Sequence, residues 1–265
     1  MDIQQAASQN NHNTKVTPSI ELKDVSMVFR SGQRYTEALN RVSFSVAEKE
    51  FVTLIGPSGC GKTTVLKLIA DIISPTEGQI IVNGRTPNEA RKQRLFGFVF
   101  QDAALLAWRT VIDNILLPLE VMRQKDDKDY ARELVELVGL AGFEEHFPDE
   151  LSGGMQQRVS IARALCYNPS FLLMDEPFGA LDLITREKMG QELLRIWENT
   201  EKTVIFVTHS IEEAVLLSDK ILVMSPRPAE VLAEVQVDLP RPRDPDIRDN
   251  PEFLQLTTML REMLV

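Results

Sequence analysis

Short apolar runs separated by polar turns divide the chain into a recurring pattern. FVTLIG, from Phe51, is apolar at consecutive positions, as a strand buried on both faces must be, and this places it at the centre of a sheet. FGFVFQ, FLLMDEP, TVIFVTHS and KILVMS follow the same rule, and the first three end in polar residues where a strand's carboxyl end would emerge. In an open α/β sheet ligands bind at that edge. Upstream, IELKDVSMVF and ALNRVSFSV show the rough alternation of half-buried strands, and GQIIVNG ends in an Asn-Gly turn. TTVLKLIADII has helical spacing, so FVTLIG, its loop and this helix form the strand-loop-helix unit that begins a parallel sheet.

Between FGFVFQ and FLLMDEP the pattern turns helical, as in DYARELVELVGLAGF, where Leu134, Leu137 and Val138 share a face. This predicts a helical subdomain inserted over about 102–165. Beyond KILVMS the chain is Pro-rich and extended. It then ends in PEFLQLTTMLREML, with Phe253, Leu256, Leu260 and Met263 aligned, a C-terminal extension of about 226–265. Residues 1–18, rich in Gln, Asn and Ser, read as a disordered tail before a single α/β domain over 19–265. No internal repeat is visible.

Composition narrows the function. The formal charge of -10 argues against a broad nucleic-acid footprint, so phosphate recognition has to be local. No apolar run reaches the roughly 18 residues of a membrane span, and the start lacks a secretory signal's apolar middle, which predicts a cytosolic chain. Cys60 and Cys166 lie in unlike contexts and are expected as free thiols.

GPSGCGKT fits G-x-x-x-x-G-K-[ST] and sits between a strand and a helix, as phosphate binding requires. The candidate nucleotide site is Gly56, Pro57, Ser58, Gly59, Cys60, Gly61, Lys62, Thr63 and Thr64. The glycines let backbone amides curl around a β-phosphate, Lys62 reaches the β and γ oxygens, and the Thr63 hydroxyl ligates Mg2+. Cys60 presents its amide, with the thiol a filler. Asp175 and Glu176 diverge from the tip of FLLMDEP, one toward the metal and the other toward an attacking water. His209 emerges at the same edge and could contact the γ-phosphate; Gln101 could bridge magnesium or water. His12 and His146 lack such a context. In LSGGMQQR, Ser152 is an N-cap, and Gly153 and Gly154 leave amides bare for an anion, or simply soften a helix start.

GPSGCGKT, FQD, LSGGMQQR, LLMDEP, GALD and THS, in that order, resemble the ATP-binding subunit of an ABC transporter over roughly Ile20 to Ser225. The resemblance implies a P-loop cassette with an N-terminal antiparallel β subdomain, binding ATP and Mg2+. It implies two cassettes paired head to tail, expected as a homodimer, in which Ser152, Gly153 and Gly154 meet a γ-phosphate held by the partner. Glu176 is then the general base, His209 the γ-phosphate switch, Asp182 the cross-dimer residue, and Gln101 the link to an integral membrane permease. Phe29 stacks on adenine, with Tyr35 the alternative. DAALLAWRTVIDNI, Met155 and the tail are similar to importers of nitrate, sulfonates and taurine, which work with a solute-binding protein at the cytoplasmic face of the cell membrane. Leu105, Leu106 and Trp108 would line the groove for the permease's coupling helix, unless Trp108 is core. Ala107 and Asp71 depart from the group, standing where proline and glycine are common. A soluble ABC-type ATPase of translation or DNA repair is the rival; one cassette, no heptad run and a negative charge stand against it.

Overall fold

A computed structural model describes residues 18–32, 34–125 and 127–264. The expected tail lies outside them except at its last residue, and His12 with it. In chain order the elements are β1 (Ile20–Ser31), β2 (Arg34–Val46), β3 (Phe51–Ile55), α1 (Lys62–Ile69), β4 (Glu77–Val82), α2 (Pro87–Lys92), β5 (Phe96–Val99), α3 (Val111–Val121), α4 (Lys128–Leu137) and α5 (Gly153–Leu165). There follow β6 (Phe171–Asp175), α6 (Leu183–Thr200), β7 (Thr203–Val207), α7 (Ile211–Leu217), β8 (Lys220–Met224), β9 (Val231–Gln236) and α8 (Pro251–Leu264).

The larger sheet runs β5-β6-β7-β3-β8-β9, parallel except for β9. FVTLIG is therefore central, between β7 and β8, and β3 is buried at every position. Side-chain alternation divides the core in two. Phe51, Val204, Phe206, Leu172 and Met174 face the layer built by α3 to α8, whereas Val52, Leu54, Ile205 and Leu173 face α1 and the smaller sheet. That smaller sheet, β2-β1-β4, is antiparallel. Asn83 and Gly84, both at positive φ, close it through reciprocal backbone bonds between Val82 and Arg85, the two-residue turn that Asn-Gly favours. The helices α3, α4 and α5 lie between β5 and β6 in the chain, so the fold is an α/β cassette with an inserted helical layer.

Three local features differ from the sequence pattern. The helix after the phosphate loop stops at Ile69 because Asp71 turns left-handed at φ 58, and the Ile72 and Asp71 amides return to the Lys67 and Leu68 carbonyls. Glycine is the usual residue for that position; here Asn88 and Arg91 each hold the Asp71 carboxylate at 2.8 Å. The Pro-rich segment contains β9, whose prolines fall outside the paired residues and leave Ala233 and Val235 opposite Val223 and Ile221. On α8, Phe253, Thr257 and Leu260 are buried with Leu256 packed beside them, while Met263 is exposed.

A buried arginine fastens the C-terminal segment. Arg243 donates to the carbonyls of Val215, Leu216 and Ser218 at the end of α7, and to those of Val237 and Leu239. Burial lowers its pKa to about 10, still protonated at neutral pH. Beside it Arg241 bonds Asp219 and lies 4.2 Å over the Trp197 ring. Arg243→Ala leaves several buried carbonyls without a donor and is expected to cost about 3 kcal/mol in urea unfolding. A loss below about 0.5 kcal/mol, the range of an ordinary surface change, would contradict the clasp.

Candidate functional site

The parallel strands deliver their polar ends to one edge. β3 leaves the sheet at Gly56 and enters α1 through a loop in which Gly59 and Gly61 have φ of 72 and 131. Gly61 has no room for a side chain, since a Cβ would lie 2.8 Å from Leu39 Cδ2. It is also the N-cap of α1, and so supplies no capping side chain, and no acidic residue occupies the first turn. By contrast α2 to α7 are each capped by a side chain: Thr86, Thr110, Asp127, Ser152, Asp182 and Ser210. The amides opening α1 are thus left for an external acceptor at the positive end of the helix dipole. Lys62 is buried, and its Nζ donates to the Gly56 and Pro57 carbonyls at 2.8 and 3.1 Å, so the ammonium stands inside the loop. Pro57, Ser58 and Gly59 are exposed, Thr63 and Thr64 half-buried. Cys60 is 2% exposed with its thiol turned inward, 4.0 Å from Lys62 Nζ.

At the next strand ends the Thr63 hydroxyl donates to Asp175 Oδ1 at 2.8 Å. Burial pushes the Asp175 carboxyl above its ordinary range; the Thr63 bond opposes this and the Glu176 charge adds to it. Among the described residues no three His, Cys, Asp or Glu side chains converge as a metal cluster. A cation here would therefore take Thr63 and Asp175 together with ligand oxygens, a donor set that suits a hard ion on a phosphate. Glu176 adopts φ 46, rare for a residue with a Cβ, while its amide donates to the Val207 carbonyl. That turn aims its carboxylate at His209, with Oε2 3.2 Å from Nδ1. An ionised carboxylate requires the hydrogen on Nδ1, which leaves Nε2 of the neutral ring as an acceptor. Gln101, exposed, lies against the loop after Glu176: a Cβ on Gly179 would be 3.3 Å from its Nε2.

The remaining candidates lie elsewhere. Ser152 caps α5 by accepting from the Met155 amide at 3.3 Å, and Gly153 is exposed. Gly154 is buried, and a Cβ there would sit 2.9 Å from Thr185 Cγ2, so it permits close approach of α5 and α6. Asp182 caps α6, and the bond it accepts from the Thr185 hydroxyl at 2.7 Å lowers its pKa. No hydrogen bond among the described residues joins Ser152, Gly153 or Asp182 to Gly56–Gly61. Phe29 and Tyr35 are 41% and 66% exposed near the tip of the β1–β2 hairpin. Phe29 pairs with Thr36 and Tyr35 with Arg30, so the two rings point to opposite faces.

Three contributors have no motif. Arg227, from the β8–β9 turn, donates through Nε to the Gly59 carbonyl and braces the phosphate loop from outside. Asn114, fully buried, accepts from the Leu106 amide and donates to the Leu106, Arg109 and Thr110 carbonyls. Arg163 of α5 donates to the Ala103 and Ala104 carbonyls. Asn114 and Arg163 together shape the loop after Gln101, on which Leu105 packs inward and Trp108 stands 74% exposed. Beside this loop Phe98, Phe100, Ala104, Val121, Met122 and Tyr167 line a largely apolar cleft of about 410 Å³.

A glycine cradle opening an uncapped helix, with a threonine-aspartate pair and a glutamate-histidine pair at the same sheet edge, defines a P-loop nucleoside-triphosphatase. A family model described as ABC transporter matches residues 39–179. The chain belongs to that family and is an ATP-binding cassette and ATPase. It is 47% identical over 238 residues to the taurine import ATP-binding protein TauB of Rhizobium johnstonii, covering 87% of this chain and 90% of that protein. It is 43% identical over 240 residues to the aliphatic sulfonates import ATP-binding protein SsuB of Bacillus thuringiensis subsp. konkukian, covering 91% and 93%. Among solved structures, a dimer of the cassette MJ0796 in a post-hydrolysis state with ADP and Pi superposes with a TM-score of 0.72 at 35% identity, covering 83% of this chain and 99% of that one.

The two glycines of LSGGMQQR, the family's signature turn at the start of α5, separate in a stability measurement. Gly154→Ala forces a Cβ against Thr185 and is expected to lower stability by about 1–3 kcal/mol. Gly153→Ala, with its nearest contact at an ordinary 3.5 Å, should be neutral or gain up to about 1 kcal/mol of helix propensity. Equal losses in thermal unfolding would contradict the packing role of Gly154.

Proposed function

We propose that this chain is the ATP-hydrolysing subunit of an importer for a small anionic or zwitterionic solute of the sulfonate, taurine and nitrate class. One observation carries the mechanism: the phosphate loop opens an uncapped helix and the signature turn stands exposed at the start of α5, yet among the described residues no hydrogen bond joins them. Two copies paired head to tail would bring the Ser152, Gly153 and Gly154 turn of one onto the phosphate held by Gly56–Thr64 of the other. The dimeric MJ0796 neighbour supports that arrangement.

In the closed pair, Lys62 exchanges the Gly56 and Pro57 carbonyls for phosphate oxygens, which are stronger, charged acceptors. Thr63, Asp175 and Gln101 would hold Mg2+, which supplies positive charge to the β and γ oxygens. Glu176 takes the proton of the attacking water, its carboxylate aimed by the left-handed turn and by His209 Nδ1. The His209 ring senses the γ-phosphate, and Asp182 contributes from the partner's side. The place of Phe29 supports it for adenine, since β1 carries it two residues beyond Met27, whose partner Leu39 would lie 2.8 Å from a Cβ on Gly61.

The permease docks on the cleft beside the loop after Gln101. Arg163 ties that loop to α5, so a movement of the signature helix pulls on the docking wall. Trp108, exposed and carried by a loop that Asn114 holds, is available to the coupling helix. No described helix is long and apolar enough to cross a membrane. On this reading the chain works at the cytoplasmic face of the permease, which works with an external solute-binding protein; the import names of TauB and SsuB support it. The identities to TauB and SsuB support the solute class.

Glu176→Gln is expected to retain ATP binding while turnover falls about 10²-fold or more, the scale of a positioned general base. Wild-type turnover in that variant would remove Glu176 from the role. For the transport assignment, tagged chain recovered from detergent-solubilised native membranes should carry a multi-span permease. Recovery with ribosomes or DNA instead would favour the soluble alternative.

A further inference from the structure

Glu213 is a carboxylate 9% exposed in the first turn of α7, close to His209 in the chain. Burying such a group is costly unless it is bonded. Burial raises its pKa, against the opposing pull of the Thr208 hydroxyl and of Arg186. Its Oε2 accepts from Thr208 Oγ1, and Thr208 Oγ1 accepts the Ser210 amide at 3.0 Å. The Ser210 hydroxyl accepts the Glu213 amide at 3.3 Å and closes the ring. His209 is thus carried on a turn whose two neighbouring residues are both fastened to Glu213.

The other carboxylate oxygen points toward a different loop. Glu213 Oε1 is 3.5 Å from Arg186 Nε on α6, and Arg186 Nη2 donates to the Leu181 carbonyl at 3.2 Å, next to Asp182. The contact is not closed: Arg186 Nε is buried without a hydrogen-bond partner. An unpaired buried N–H is costly, so closing this contact would be favourable. A slight approach of α6 to α7 would complete it. Leu183 and Ile184, at the start of α6 beyond Asp182, are exposed, so this end of the connection is open to a partner.

We propose that Glu213 and Arg186 are a positioning pair that connects the Asp182 loop to the His209 turn and seats the histidine when a second cassette presses on Asp182. The pair touches neither nucleotide nor water; it acts through His209. This rests on the reading that His209 and Glu176 work on the γ-phosphate.

The test is steady-state Mg-ATP hydrolysis by the full chain, normalised to active nucleotide sites by ATP-binding stoichiometry, with thermal unfolding alongside. Glu213→Gln keeps an acceptor for Thr208 but loses the charge facing Arg186. Arg186→Met removes the bond to Leu181. Each is expected to lower kcat about tenfold or more with KM for ATP unchanged within about threefold, as for residues that orient a reacting group. The double variant should fall no further than the worse single one, because the two act as a unit. Arg186→Lys, which keeps the charge, should recover part of the rate. Thr208→Val, close in volume, provides a second break in the connection should Glu213→Gln not fold, and is expected to lower kcat likewise. Wild-type kcat in either Glu213→Gln or Thr208→Val, or fully additive losses in the double variant, would overturn the proposal. His209→Ala and Glu176→Gln serve as controls. Full turnover in both would show that the underlying site reading is wrong, whereas low turnover in both beside an unaffected Glu213→Gln would remove the positioning pair alone.

Discussion

The molecule is organised around a helix start that the chain does not cap. Helix α1 opens at a glycine, its first turn holds no acid, and the lysine following that glycine turns back into the loop. Free amides at the carboxyl edge of a buried sheet are tolerable where an anion is to be bound. The rest of the architecture supports that edge. β3 is buried on both faces, so the loop hangs from a strand at the centre of the sheet, and the parallel order brings Asp175 and Glu176 from β6 and His209 from β7 toward the same mouth. Arg227 braces the loop from the turn beyond β8.

A second constraint explains the geometry around the signature. Helix α5 starts with two glycines that have different duties. Gly154 is spent on the approach of α6, whereas Gly153 and the Ser152 cap remain at the surface. Because α6 itself begins at Asp182, the packing that Gly154 permits holds the signature turn and the Asp182 loop in a fixed relation. The surface a partner cassette would meet is thereby a single rigid face, and Arg163 extends it to the loop that follows Gln101.

Much of this was legible in the residues. Uniformly apolar runs mark the parallel strands because strands buried on both faces admit few polar residues, and GPSGCGKT carries its own mechanism in its spacing. β9 was hidden by prolines that flank the strand and interrupt none of its pairs. The inserted helices were visible from their period, but Asn114, the residue that shapes the exposed loop of Trp108, looks like any polar helix position until its four bonds are seen. Arg243, Arg227 and the Glu213–Arg186 pair belong to no local pattern. Each acts on residues brought near by topology, and a charge that is buried by tertiary contact leaves no periodic trace.

The central claim is that one working site needs two chains, and mixed variants test it most directly. Lys62→Ala disables the phosphate loop, and Ser152→Arg obstructs the signature turn. Each variant alone should be nearly inactive. A mixture should regain Mg-ATP hydrolysis, because a mixed pair combines the phosphate loop of the Ser152→Arg chain with the signature of the Lys62→Ala chain. A mixture no more active than its components, with both variants folded and pairing, would contradict the account, as would full activity of the Ser152→Arg chain by itself.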